Sequence, residues 1–292
     1  MPQLNSSLLA EAMTQAGQPG VQKPEDLDEA HYGAYMRALD ANAISQTRWT
    51  PQALMELVME TKDALASAID SQSEISSKDK AEMKSDLADL NYMGMAHYTR
   101  QSHADLMSFK DTCGQDGLRA SAFFSADQGA VIICPGLLTL NFGRITDIQS
   151  LKRALQIVLA HELGHSIDNS EFPKSFKKLI SCFDSQFRNM NSGNKIGGKD
   201  AKRELVADYW SSLSQVQIAK KGALAPELAA QTFIEGYSIF CSQVKRSGND
   251  PHPAELARIY LHASNPEVRA YLGCVKPLPE VAGCSLSGPV GK

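Results

Sequence analysis

The alternation of apolar and polar positions divides this 292-residue chain into stretches of different character. Residues 1–30 are rich in Gln, Ser, Gly and Pro, offer little to bury, and read as a flexible leader. From Asp26 to Asp111 the pattern turns helical. TPQALMELVMETKDALASAI sets apolar residues three and four apart behind Thr50 as N-cap and Pro51 at the first helical position, and three or four helices are expected here. The period shortens in SAFFSADQGAVIICPG, where Ser121–Phe124 and Ala130–Cys134 read as a hairpin turned through Asp127, Gln128 and Gly129. A long helix then starts near Thr146–Ser150 and runs through LKRALQIVLAHELGHSI, with Leu151, Leu155, Val158 and Leu159 available for the core. After a loop over 191–198, a helix capped by Asp200 carries KRELVADYWSSLSQV. The remainder reads as helical, broken by the polar loop SGNDPHP, with no internal repeat. The expected organisation is a leader over 1–30, a helical region over 31–112 packing on the core, and a catalytic domain over 113–292.

Composition narrows the possible partners. Apolar residues make up 43% of the chain, enough for a buried core, and the net charge of -4 comes without any long Lys or Arg run. Nucleic acid and anionic membranes are therefore excluded as expected partners. No apolar stretch approaches the roughly 20 residues that span a bilayer. The opening MPQLNSSLLAEAMTQAGQPG lacks the basic start, apolar middle and cleavage site of a secretory signal, so a cytoplasmic location or a leaderless export route is expected. The six cysteines, at 113, 134, 182, 241, 274 and 284, include no CxxC pair. Free thiols and disulfides both remain open for them.

The chemistry is concentrated in two helices. His161-Glu162-Leu163-Gly164-His165 is an HExxH motif, and residues four apart on a helix stand one above the other, so both imidazoles can bind one ion. Glu162 then lies beside the ion, unable to ligate it but able to take a proton from an activated water. The apolar run ALQIVLA just before the motif makes this a core helix, and buried histidines need partners that a shared metal supplies. One Zn2+ per chain is expected, and it requires a third ligand. Glu204 is the favoured one, because Asp208 follows one turn later on the same helix face and can accept the second ring N–H of a ligating histidine. Glu171 is the alternative, six residues after His165, although Asp168 stands where the corresponding longer motif has its turning glycine.

With these residues in place, the chain from about Ala120 to Cys284 resembles the neprilysin family of zinc metallopeptidases. HELGHSID and ELVAD are similar to that family's HExxH and ExxAD segments. SAFFSADQGAVIICPGLL is similar to its NAxY strand and IxxPAGxL segment, with Ala122 kept and Ser121 in place of the Asn that holds bound peptide. DPHPAELARIYLHASNPEVRAYLGC resembles its C-terminal signature, where a His and an Arg six residues apart serve catalysis. The resemblance implies an α+β, predominantly helical zincin-like fold with a small sheet beside the HExxH helix. It implies a zinc endopeptidase cutting peptide or protein substrates before apolar residues. By the same resemblance, His252 would donate to the oxyanion, Arg258 would hold a substrate carbonyl, and Ser121 and Ala122 would contact the peptide backbone. Cys182, Cys241, Cys274 and Cys284 fall near cysteines of family ectodomains. Less sequence precedes the site than in the family, which implies a more open cleft. Two other readings keep the same residues: a catalytically silent zinc and peptide-binding protein, for which Ser121 argues, and a leaderless effector protease with one protein target.

Overall fold

The computed structural model describes residues 2–46, 49–93, 113–114, 116–119, 121–126, 129–139, 148–167, 176–190, 199–241, 255–273 and 283–290. The chain divides into two compact units, Met1–Leu57 with Leu90–Gly143, and Val58–Asp89 with Arg144–Lys292. This division cuts across the boundary at 112 read from the sequence.

In the first unit, helix α1 (Pro2–Ala16) packs on α2 (Glu29–Gln46). The stretch read as a flexible leader is thus helical over most of its first half. Leu8, Ala12 and Ala16 recur every four residues, and this stripe is buried with Tyr32, Tyr35 and Met36 despite the polar composition around it. Helix α3 (Pro51–Ser71) begins as expected, with Thr50 Oγ1 accepting from the Ala53 N–H at 3.0 Å. It belongs to the first unit up to Leu57 and to the second from Val58, and α4 (Ser77–Asp89) lies in the second.

The first unit's sheet contains β1 (Asn91–Met93), β2 (Ala122–Ser125) and β3 (Ala130–Ile133), followed by the short helix α5 (Pro135–Leu138). The order is β1-β3-β2. β2 is antiparallel to β3 from Ala122 opposite Ile133 to Ser125 opposite Ala130, and β1 is parallel to β3. The hairpin is the one expected, with β2 set one residue later. β1 was not expected, because three residues are too few to show a period of two. Gly129 takes φ +55 at the turn, a conformation that suits glycine. Asp127 and Gln128 lie outside the described residues. Cys113 is bonded to Cys134.

The second unit holds α6 (Ile148–Ile167), α7 (Phe176–Met190), α8 (Lys199–Lys221), α9 (Pro226–Cys241), α10 (Glu255–Ala263) and α11 (Pro266–Tyr271). A terminal hairpin of β4 (Gly283–Ser285) and β5 (Gly288–Val290) replaces the helical ending read from the sequence. Helix α6 is the centre. From Ala154 to Ala160 every side chain is buried, and α4, α8 and α9 pack around it. The Ser211 hydroxyl on α8 donates to the Ile157 carbonyl of α6 at 2.7 Å, pinning the two helices together. Helix α8 starts at Lys199, so Asp200 sits inside its first turn and is not the cap.

Cys182 on α7 is bonded to Cys284 on β4, and the Asn265 side chain caps α11 while donating to the Cys284 carbonyl at 3.2 Å. The free-thiol reading therefore fails for four of the six cysteines, and such bonds persist in oxidising compartments. The Cys182–Cys284 bond spans 102 positions and encloses α8 and α10, so replacing both residues by Ser should cost about 2 to 5 kcal/mol, seen as a lower denaturation midpoint. No described helix is long and apolar enough to cross a membrane.

Candidate metal centre

Helices α6 and α8 bring the predicted ligands to one point. One turn of α6 brings the rings of His161 and His165 edge to face, with centroids 4.8 Å apart. Their Nε2 atoms are 3.2 Å apart, and Glu204 Oε2 on α8 lies 3.1 Å from His161 Nε2 and 3.6 Å from His165 Nε2. Among the described residues, these three form a group whose ligand atoms all lie within 4.8 Å of one another. Ligands placed tetrahedrally at about 2.0–2.1 Å from zinc sit about 3.3 Å apart, which is the size of this triangle. Glu162 is partly buried on the same turn as His161.

The triangle is held from behind. His161 is 1% exposed, and its Nδ1 is 2.8 Å from Asp208 Oδ1, as expected from ELVAD. With the proton on Nδ1 donated to that carboxylate, Nε2 presents its lone pair to the point it shares with His165 Nε2 and Glu204. Two imidazole nitrogens and a carboxylate oxygen are a donor set suited to zinc, so the residues present fit the ion.

Asp208 is fully buried and also receives Arg258 Nε at 2.6 Å on Oδ2 and Nη2 at 2.7 Å on Oδ1. Burial alone would raise its pKa, but Arg258, then His161, hold the carboxyl well below the usual range. For His161, burial would lower the pKa, while the charge and hydrogen bond of Asp208 and the bond to Glu204 push it up to about 10 in the metal-free protein. A metal ion must therefore displace a proton to bind there.

Arg258 was expected to face substrate, and the described structure shows it 3% exposed with its guanidinium engaged on Asp208. His252 and Glu171 lie outside the described residues. Ser121 directly precedes β2 and Ala122 opens it, and β2 is one of the two edge strands of its described sheet. The Ser121 hydroxyl donates to the Ala122 carbonyl at 3.3 Å. His262, one turn beyond Arg258 on α10, was not picked out from the sequence. It is 1% exposed, and its Nε2 is 3.5 Å from Asp208 Oδ2.

Gly164 sets the spacing of the two helices. A Cβ there would stand 3.1 Å from both Cα and O of Ala207, the residue just before Asp208. The absent side chain lets α8 approach closely enough for Glu204 and Asp208 to reach the histidines. Gly164→Val should push α8 away, lowering stability by about 1–3 kcal/mol and weakening zinc binding, as read by denaturant titration and chelator competition.

No family model and no curated protein matches the sequence. Solved structures do match. PepO from Lactobacillus rhamnosis HN001 aligns with a TM-score of 0.57 at 14% identity, over 90% of this chain and 51% of that one. The zinc metalloprotease Zmp1 of Mycobacterium tuberculosis, solved with an inhibitor, aligns with a TM-score of 0.56 at 11% identity, over 85% of this chain and 49% of that one. The fold is zincin-like. This chain spans about half the length of each of these structures. At such identities the likeness is one of fold, and it is the predominantly helical α+β class expected from the sequence.

Proposed function

We propose that the chain is a zinc-dependent endopeptidase of the neprilysin type, hydrolysing peptide bonds by direct attack of water, without a covalent enzyme intermediate. The observation that carries this reading is the convergence of His161 Nε2, His165 Nε2 and Glu204 Oε2 with Asp208 on the far side of His161. His161, His165 and Glu204 would hold one zinc ion. When bound, zinc lowers the pKa of water and polarises a carbonyl. Glu162 takes a proton from the attacking water and returns it to the leaving amine. Asp208 fixes the tautomer and orientation of His161, and Arg258 fixes Asp208. By resemblance, His252 donates a hydrogen bond to the oxyanion and Arg258 holds a substrate carbonyl. The edge strand β2 is suited to pairing with an extended peptide through main-chain hydrogen bonds, with Ser121 and Ala122 as its contacts. Cleavage before apolar residues is the specificity the family resemblance implies.

Two measurements test this. Digestion of a diverse peptide library, read by mass spectrometry, should yield new N-termini that begin with apolar residues. Metal content should fall from about one zinc per chain to near zero in Glu204→Ala and stay unchanged in Glu171→Ala. The reverse pattern would assign the third ligand to Glu171. Ser121 favours a second reading, a zinc and peptide-binding protein without hydrolysis, because a serine reaches less far than the Asn of the family. Stoichiometric zinc with no cleavage of any library peptide would establish it.

A further inference from the structure

Asp208 carries more than the histidine and arginine that the motifs account for. His262 stands one turn after Arg258 on α10 and approaches the same carboxylate, Nε2 to Oδ2 3.5 Å, at 1% exposure. Its ring packs edge-on against Phe183 of α7, centroids 5.7 Å apart at 70°. Phe183 directly follows Cys182, the α7 end of the bond to β4. The imidazole thus links the disulfide-anchored helix on one side to the carboxylate behind His161 on the other.

We infer that His262 is a positioning residue for the metal centre, holding Asp208 so that Oδ1 faces His161 Nδ1. The inference rests on the zinc-centre reading above. Asp208 has two oxygens to distribute. Arg258 takes both, His161 must have Oδ1, and a polar neighbour at Oδ2 opposes rotation of the carboxylate away from the histidine. An apolar replacement would face a buried carboxylate oxygen with no compensating dipole. Burial lowers the pKa of His262, Asp208 pulls the other way, and the charges of Arg258 and His161 lower it again, with a net downward shift. Hydrogen-bonding partners behind a ligating histidine typically govern about 10- to 100-fold in metal affinity, and His262, one residue further out, should act near the lower end.

The test compares His262→Gln with His262→Leu in the full chain. The Gln amide nitrogen falls near the position of the imidazole Nε2, whereas Leu fills similar space without a polar atom. Zinc affinity is measured by chelator competition, and folding by thermal denaturation of the zinc-free protein. The expected result is a loss of about tenfold in zinc affinity for Leu and recovery to within about threefold of wild type for Gln. Equal zinc affinity in wild type and both variants, or equal loss in Gln and Leu, would overturn the positioning role and leave His262 as packing. If the Leu variant does not fold, His262→Ala, which admits water beside Asp208, takes its place in the same comparison with Gln. A wild-type protein that binds no zinc would overturn the centre itself, an outcome distinct from unchanged affinity in the variants.

Discussion

Glu162→Gln should retain about one zinc per chain and the wild-type melting temperature, while kcat on a cleaved peptide falls by about 100- to 10,000-fold. The substitution keeps the size of the side chain and removes its ability to accept a proton. Glu162 shares the turn of α6 with His161 but is not among the three residues whose ligand atoms converge, so metal binding has no reason to change. Wild-type turnover in this variant, measured with zinc present and quantified, would show that another group removes the proton from water. Loss of zinc together with activity would instead make Glu162 a ligand.

Asp208→Ala should produce the largest combined loss. It deprives Arg258 of two charge-assisted bonds in a site where that side chain is 3% exposed, and it deprives His161 of its orienting acceptor. Breaking one partner of a buried ion pair costs about 3–5 kcal/mol, and losing the acceptor behind a ligating histidine costs about 10- to 100-fold in metal affinity. The double variant Asp208→Ala/Arg258→Met separates the two effects. It removes both charges and should regain much of the stability, yet its zinc affinity should stay low, because His161 still lacks the carboxylate acceptor on Nδ1.

The pH dependence of the zinc-free protein follows from the same pair. The folded pKa of Asp208 lies below its ordinary 3.8, so its contribution to stability is complete above that value and is lost as pH falls through the depressed folded pKa. The folded pKa of His161 is raised from 6.5 to about 10, so its contribution is complete below 6.5 and is lost as pH rises toward 10. The stability gap between wild type and Asp208→Ala should therefore be widest between pH 3.8 and 6.5 and narrow on both sides.

The grouping of His161, His165 and Glu204 was legible in the sequence because a helix fixes the geometry of residues four apart, and because a second helix carries a Glu and an Asp with the same spacing. Placing His161 with His165, and Glu204 with Asp208, on common helix faces needed only the period of the α-helix. His262 was hidden because its partner lies on another helix, so its value depends on how α10 packs on α8. Helix α1 was misread for a related reason. Average composition hid a narrow stripe of Leu8, Ala12 and Ala16 that has α2 to pack against. The terminal hairpin and β1 are three-residue strands, too short for alternation to register. Cysteine pairing follows from tertiary proximity, and spacing alone left it open. Gly164 could have been noticed as an unfavourable residue within a buried helix, a signal that another backbone comes close.

The proposed centre is one zinc ion held between two helices. X-ray diffraction from crystals of the zinc-loaded protein, recorded on both sides of the zinc absorption edge, tests this directly. A single strong anomalous peak is expected, bonded to Nε2 of His161, Nε2 of His165 and a carboxylate oxygen of Glu204, with Asp208 on Nδ1 of His161. A peak elsewhere, or none in crystals of protein shown to carry zinc, would contradict it.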